Sequence, residues 1–135
     1  MKKLLLFLTI VIAAFVASPA AKAETLNFKA TNYTIKTMKN GTWSNWSSWE
    51  KCNVKISMNL DTDVVTIYSD KKQVYYVNDY DEPFKEDGAT QINYHFRDQD
   101  GDKGTMTLVM RDNGRSEIYI RFANVQWGYI VVRTN

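Results

Sequence analysis

Cysteine, histidine and proline are scarce in this sequence of 135 residues, which contains one cysteine, one histidine and two prolines. A single cysteine cannot form an intramolecular disulfide, so the fold must be stabilised by core packing alone. One histidine and one cysteine also cannot complete a zinc site. With 44% hydrophobic and 13% aromatic residues, the chain is too apolar to be disordered, and its length fits one globular domain.

The N-terminus has the features of a secretory signal peptide. Lys2 and Lys3 precede an apolar run over residues 4–16, and an Ala-x-Ala cleavage pattern ends at Ala23. The run is shorter than the ~20 residues that cross a bilayer, and no second run follows. We therefore predict a signal peptide over residues 1–23, cleavage after Ala23, and export to the periplasm or the extracellular space, with no membrane span in the mature chain.

Removal of residues 1–23 leaves one domain of 112 residues, 24–135, and changes its charge. Three lysines leave with the signal peptide, so 14 basic and 15 acidic residues remain and the net charge becomes −1. Binding of nucleic acid requires a basic stripe that neutralises phosphates. Lys71-Lys72 is the only basic doublet in the mature chain. We expect a monomer that does not bind nucleic acid.

Apolar and polar residues alternate in segment after segment, which is typical of half-buried strands, and no stretch of ten residues has helical periodicity. Eight strands are predicted: Leu26–Lys36, Val54–Leu60, Val64–Ser69, Gln73–Asn78, Gln91–Arg97, Thr105–Arg111, Ser116–Phe122 and Trp127–Arg133. Short connections favour antiparallel neighbours. We predict an all-β antiparallel meander, closed into an up-and-down β-barrel in preference to a two-sheet sandwich. In architecture alone it is similar to the calycin-type barrels of lipocalins and avidins, whose motifs it lacks.

Two connections between the predicted strands have distinctive sequences. Asn113-Gly114 predicts a type I′ hairpin turn, because both residues readily adopt positive φ angles. Residues 79–88 include Pro83 and have no strand pattern, so we predict that they form a loop.

The one thiol and the one imidazole are predicted to lie on opposite sides of the sheet. Cys52 has the parity of Val54 and Ile56, so it should face the core as a buried, unreactive residue. His95 alternates with the apolar Ile92-Tyr94-Phe96 set and should face outward. A general base must reach its nucleophile, so no Cys–His pair is expected. The sequence also has no phosphate loop or nucleophile elbow, and we predict that the protein is not an enzyme.

Asp98, Asp100 and Asp102 occupy alternate positions of a loop, a spacing that resembles the start of a calcium-binding EF-hand loop. The EF-hand requires glycine and glutamate where this sequence has Lys103 and Val109, and its flanks are helices, not strands. A solvated hairpin turn explains the aspartates more simply. We expect no cofactor. Calcium is the one ion that the spacing of the three aspartates would allow the chain to bind.

Trp43, Trp46 and Trp49 recur at every third residue and lead to Cys52. Over about a dozen residues this segment resembles the tryptophan ladder of thrombospondin type 1 repeats, but those repeats require several disulfides. A period of three fits neither face of a strand, whereas it aligns the rings along one edge of a polyproline II segment. Two interpretations remain: the rings pack as core at a barrel end, or they form an exposed platform that stacks on sugars or apolar ligands.

These patterns predict an exported, non-enzymatic binding protein whose partner is a small molecule, a glycan or a protein. Aromatic residues at one barrel end would bind an apolar or carbohydrate ligand: Trp43, Trp46, Trp49, Tyr75, Tyr76 and Trp127. The alternative is a protein-directed module, either an inhibitor or an envelope or surface component, that acts through a loop or a strand edge. A ligand barrel predicts an apolar cavity, an inhibitor a filled core with a protruding loop, and a structural component an unprotected edge strand.

Overall fold

The computed structural model describes residues 25–135, so the predicted signal peptide and its cleavage site lie outside the described residues. Ten strands are found in this range: β1 Thr25–Lys39, β2 Thr42–Trp43, β3 Glu50–Asn59, β4 Val64–Tyr68, β5 Gln73–Tyr80, β6 Phe84–Glu86, β7 Ala89–Asp98, β8 Lys103–Arg111, β9 Ser116–Arg121 and β10 Val125–Arg133. Within it, no helix has the length and hydropathy needed to cross a bilayer.

Eight of the strands close an antiparallel barrel. They pair in the order β1, β3, β4, β5, β7, β8, β9 and β10, and β10 pairs back onto β1. The two shortest strands, β2 and β6, extend the sheet beside β1 and β7. Each of the eight predicted strands corresponds to one barrel strand, so the up-and-down barrel is confirmed and the two-sheet sandwich is not adopted.

Residues 79–88 are not the continuous loop that the sequence predicts. The first two extend β5, residues 84–86 form β6, and Asp87-Gly88 connects β6 to β7. Asp87 and Gly88 have φ angles of 52° and 69°, which is the geometry of a type I′ turn. Asp-Gly is a preferred sequence for that turn, so the sequence carries a local signal for this hairpin although Pro83 interrupts the strand pattern before it.

The Asn113-Gly114 hairpin is found between β8 and β9, but its turn is not type I′. Of the two residues only Gly114 has a positive φ, 93°. The Gly114 N–H donates to the Arg111 carbonyl at 2.9 Å, and the Arg111 N–H donates to the Arg115 carbonyl at 2.9 Å. This is a three-residue loop, in which a type I turn is followed by a left-handed glycine.

The interior of the barrel is a packed hydrophobic core. Inward residues of the predicted alternation supply it, and the largest fully buried side chains are Tyr94, Phe96, Leu26, Ile56, Met58, Leu60, Ile67, Ile92, Met106, Leu108 and Ile118. Burial of apolar surface at about 25 cal/mol per Å² is the main stabilising contribution in a chain without disulfides. Candidate binding surfaces therefore lie at the barrel ends and on its outer wall.

A β-bulge in β1 reverses the faces that its residues present. The pairing of β1 with both β3 and β10 shifts between Ala30 and Asn32. Before the bulge, Phe28 and Ala30 are buried in the core. Beyond it, Tyr33 packs against the core, whereas Thr34 is buried on the outer wall. An extra residue in one strand causes such a reversal because side chains alternate with a period of two.

Candidate functional site

One end of the barrel opens as a cleft of about 620 Å³, which we call the mouth cleft. It lies between β1, the start of β3, the β4–β5 turn and the start of β10. Its lining comprises aromatic, aliphatic and polar side chains: Tyr33, Tyr68, Trp127, Tyr129, Ile35, Cys52, Val54, Asn53, Ser69, Asp70, Lys71 and Gln73. Small-molecule sites typically measure about 300–1,000 Å³ and combine an apolar lining with a few polar groups. The mouth cleft has both properties.

Gln73 organises the polar side of the mouth cleft. Its Nε2 donates to Ser69 Oγ at 2.9 Å and to the Tyr129 hydroxyl at 3.4 Å, and its Oε1 accepts a hydrogen bond from Tyr75 at 2.5 Å. Burial raises the pKa of Tyr129, and the N–H groups of Gln73 and Trp127 only partly oppose that effect. The phenol therefore stays neutral at physiological pH, where its hydroxyl can exchange hydrogen bonds with a ligand.

Tyr33 and Cys52 reach the mouth cleft because of the bulge in β1. The Tyr33 hydroxyl donates to Glu50 Oε2 at 2.5 Å, and this hydrogen bond raises the pKa of Tyr33. Cys52 faces the interior, as its parity predicts, and its Sγ lies 3.6 Å from the Ala30 carbonyl. The thiol is half-buried, not enclosed as expected, because β3 pairs irregularly with β1 at the bulge. Burial raises the pKa of Cys52.

The three tryptophans lie on the outer wall of the barrel, not at its end. The serines between them fix residues 44–49 against β1: Ser47 Oγ accepts the Ile35 N–H at 3.0 Å, and Thr34 Oγ1 donates to the Ser47 carbonyl at 2.5 Å. Trp46 is 38% exposed, and Trp43 and Trp49 are half-buried. The rings are therefore neither buried in the core nor fully exposed as a platform: each packs partly against the wall and is partly exposed to solvent.

Two of these tryptophans contact a buried ion network on the wall, which we call the wall cluster: Trp46, Trp49, Arg111, Arg115, Glu117 and Tyr119. The Glu117 carboxylate is fully buried and accepts hydrogen bonds from Arg111 Nε at 2.5 Å, Arg115 Nε at 2.7 Å and the Tyr119 hydroxyl at 2.5 Å. Trp46 meets the Tyr119 ring edge-on at 5.6 Å, and the Arg115 guanidinium lies 5.8 Å from the Trp49 ring.

The wall cluster shifts the pKa values of its members. Burial raises the pKa of Glu117, but the hydrogen bonds from Arg111, Tyr119 and Arg115 outweigh burial and lower it overall. Burial and the hydrogen bond to Glu117 raise the pKa of Tyr119 to about 12. The cluster therefore holds one carboxylate and two guanidinium groups in fixed, charged forms. Its pocket measures about 200 Å³, smaller than the usual range for a ligand site.

The six aromatic residues expected at one barrel end occupy four separate places. Trp127 lines the mouth cleft, and Tyr75 is buried in the core nearby, against Phe96 at 4.5 Å. Tyr76 is 49% exposed on the opposite face of β5, because adjacent residues of a strand point to opposite sides. Trp43, Trp46 and Trp49 cover the wall. No single surface joins all six.

Asp98, Asp100 and Asp102 do come together, with carboxylate oxygens within 4.8 Å of one another. Asp98 Oδ1 already accepts the backbone N–H groups of Asp100 and Asp102, each at 2.9 Å. Gly101, with a φ of 83°, completes the turn between β7 and β8. Its N–H donates to the Asp98 carbonyl, and the Asp98 N–H donates to the Asp102 carbonyl, which is the same hydrogen-bond pattern as in the β8–β9 turn. Calcium takes six to eight oxygen ligands, so three carboxylates fall well short of a full site. The hairpin accounts for the aspartates.

His95 lies on the outer face of β7, as predicted. Its Nε2 is 3.0 Å from Asp81 Oδ1, and both side chains are substantially exposed. Cys52 faces the interior beside β1, so the imidazole and the thiol lie on opposite sides of the barrel sheet.

Comparisons of the chain with protein-family models, with curated proteins and with solved structures gave no match. The fold itself defines the class: a closed, eight-stranded antiparallel β-barrel with up-and-down topology. Because one fold supports many functions, the function has to be argued from the surfaces of this barrel.

Proposed function

We propose that the protein binds a small, uncharged, largely apolar molecule in the mouth cleft. The observation that carries this proposal is a cleft of about 620 Å³ that four aromatic residues line at the end of an otherwise filled barrel. Aromatic side chains supply large contact areas at a small cost in side-chain entropy. A flat ring system is the ligand shape that such walls accommodate best.

The charges at the rim favour a neutral ligand. Asp70 and Lys71 are the two charged residues of the lining, both are exposed, and their opposite charges leave the lining without net charge. Polar recognition falls to neutral groups, chiefly the hydroxyl of Tyr129 and the amide of Gln73. These groups would orient one polar substituent of the ligand while its body contacts Trp127 and Tyr33.

Binding without chemistry is part of the proposal. Cys52 is the one cysteine of the chain, and burial raises its pKa, which disfavours the nucleophilic thiolate. The imidazole of His95 lies on the outer face of β7, where it cannot act as a base for groups in the cleft. If the signal peptide acts as predicted, binding takes place outside the cytoplasm.

Closure of the barrel supports a ligand-binding role over a module that acts through a strand edge. Each of the eight barrel strands in residues 25–135 is paired on both sides, which leaves free edges only at the short β2 and β6. Residues 79–88, the predicted loop that an inhibitor could have used, instead contribute to β5, β6 and the turn of the β6–β7 hairpin. A protein or glycan partner is the second candidate. The half-exposed tryptophans on the wall favour it, since Trp46 is 38% exposed and the Lys36 ammonium lies over its ring at 4.8 Å.

Titration with N-phenyl-1-naphthylamine, an uncharged aromatic dye that fluoresces in apolar sites, tests the proposal. Saturable binding of one dye per chain is expected. Ile35→Glu places a charge in the cleft at a residue that is 39% exposed, and it should weaken binding by about tenfold or more. Val132→Glu is the matched control, because Val132 is 50% exposed on β10 and does not line the cleft. Unsaturable binding, or equal weakening by both variants, would contradict the proposal.

A further inference from the structure

A second concave surface, on the wall beside the mouth, holds three positive charges without counter-ions. It measures about 600 Å³ and is bounded by residues of β5, β7 and β8 and by the end of β9. Arg97, Lys103 and Arg121 line this surface, which we call the cationic pocket, and no carboxylate does. None of the three forms an ion pair with any residue in the range 25–135.

The three positive charges lie close together in the sheet. Arg97 and Lys103 are direct cross-strand partners in the β7–β8 ladder, and Arg121 lies on the next strand opposite Thr105. Like charges directly opposite each other in a sheet are destabilising. In the wall cluster, the buried carboxylate of Glu117 pairs with two arginines and offsets the repulsion between them. An anionic ligand would do the same here.

Neutral groups hold the two guanidinium groups in place without cancelling their charge. Arg121 Nη1 donates to Gln126 Oε1 at 2.7 Å and its Nε to Thr107 Oγ1 at 3.3 Å. Arg97 Nη1 donates to the Gly101 carbonyl at 3.0 Å. Each guanidinium keeps further N–H groups that are unused within the described chain. Arginine binds carboxylate, sulfate and phosphate groups through such paired donors.

The lining of the cationic pocket also includes two aromatic residues, beside the polar Asn78, His95 and Thr105. Phe96 and Phe122 contribute to its lining and pack edge-to-face, 5.5 Å apart. Gly104 permits this, because a Cβ there would lie 2.5 Å from Cζ of Phe96. Phe122 also stacks on Trp127 at 5.8 Å, so this pair of rings separates the cationic pocket from the mouth cleft.

We infer that the cationic pocket binds a small organic anion. Its carboxylate, sulfate or phosphate group pairs with Arg97, Lys103 and Arg121, and its ring packs against the half-buried Phe122. The ligand chemistry differs from that of the mouth cleft, and the inference holds whether or not the cleft binds an uncharged molecule.

Calorimetric titration of the protein with phenyl phosphate, benzoate, inorganic phosphate and phenol tests this inference. At least one of the two aromatic anions should bind with a stoichiometry of one, and its affinity should fall as sodium chloride rises from about 50 to about 500 mM. Inorganic phosphate should bind more weakly than that anion because it lacks the ring. Phenol should not bind at this site because it lacks the charge.

Variants locate the site. Arg121→Gln should weaken binding of the aromatic anion by about tenfold, and the exposed Lys103→Gln by about threefold, since each removes one charge-assisted contact. Lys29→Gln removes an equal charge from an exposed position on β1, outside the pocket, and should leave binding unchanged. Lys103→Gln keeps the test valid if the half-buried Arg121 proves necessary for folding. Equal effects of Lys103→Gln and Lys29→Gln, phenol binding that Lys103→Gln weakens as much as it weakens binding of the aromatic anion, or no anion binding at all would overturn the inference.

Discussion

Gly128 in β10 lies directly beneath the aromatic ring of Tyr119 in β9. The two residues are cross-strand partners, and a Cβ on Gly128 would lie 2.5 Å from Cδ1 and Cε1 of that ring. In this position the ring lets the Tyr119 hydroxyl reach Glu117 and presents its edge to Trp46. The wall cluster therefore depends on the absence of a side chain at residue 128.

Gly128→Ala should destabilise the protein, because the added methyl group displaces the Tyr119 ring from the wall. The expected loss in the free energy of unfolding is about 1–3 kcal/mol, the usual range for overpacking. Urea unfolding measures it. In a Tyr119→Leu background the ring is absent and the same change should cost much less. An equal cost in both backgrounds would show that the glycine acts on the backbone and not through the ring.

Glu117→Gln should remove a contribution to stability that depends on pH. The hydrogen bonds that lower the pKa of Glu117 favour the carboxylate in the folded state. That contribution is complete above the ordinary value of 4.5 and is lost as the pH falls through the lowered pKa of the folded protein. At neutral pH the variant should lose about 3 kcal/mol, as expected when a buried ion network loses one partner.

The difference in the free energy of unfolding between the native chain and Glu117→Gln should therefore shrink as the pH falls below 4.5. Urea unfolding at a series of pH values between neutral and acidic measures this. Glu86→Gln is the control, because Glu86 is exposed on β6 and outside the network. A difference that is independent of pH would mean that packing, not charge, fixes Glu117 in place.

Trp46→Ala should cost only about 1 kcal/mol, because the ring is 38% exposed and packs on one side. Phe96→Ala, at a residue that is fully buried, should cost about 3–5 kcal/mol. Urea unfolding of the two variants compares them. If the two losses were equal, Trp46 would have to be counted as core.

Labelling of Cys52 by a thiol reagent should be slow, and an uncharged aromatic ligand should slow it further. Burial raises the pKa of the thiol above 9.0, so little thiolate exists at neutral pH, and the rate should still rise at alkaline pH. Because Cys52 lines the mouth cleft, N-phenyl-1-naphthylamine should protect it. Phenyl phosphate is the control, since its site lacks Cys52. If the labelling rate did not change when the dye is added, the dye would have to bind outside the mouth cleft.

Asp98→Ala should cost about 1–2 kcal/mol, because the Asp98 carboxylate accepts two backbone N–H groups of its hairpin. Asp100→Ala should change stability by less than about 0.5 kcal/mol, as is usual for an exposed position. Thermal unfolding with and without calcium should give the same midpoint for the native chain. A calcium-dependent rise that Asp100→Ala abolishes would instead show that the aspartates form a cation site.

Strict alternation made the barrel predictable from the sequence. In β7, the buried Ile92, Tyr94 and Phe96 are each followed by a polar residue. A period of two predicts both a strand and the face that each side chain occupies. Turn type was less predictable, because Asn113-Gly114 fits both a type I′ turn and the three-residue loop that forms. The two differ in loop length and strand register as well as in the φ angle of the asparagine, and the pairing of the flanking strands determines which of them forms.

The surfaces were less predictable than the fold. Tyr33 joins Tyr129 and Trp127 in the mouth cleft only because of a bulge at residues 30–32. That segment contains no glycine, the residue that would have indicated a bulge in the sequence. Similarly, the period of Trp43, Trp46 and Trp49 does not reveal that serine hydrogen bonds hold them against β1. Long-range pairing positions these residues, and local sequence does not encode it.

Because β1 pairs with β10, the barrel can close only after both its first and its last strand have been synthesised. Phe28 pairs with Arg133, and the Asn27 carbonyl accepts the Thr134 N–H at 2.9 Å. Contacts that join the two ends of a chain raise its contact order, which slows folding into the range of milliseconds to seconds. The barrel cannot close before its last strand is free to pair, so an unfinished or truncated chain leaves both β1 and β9 with an open edge.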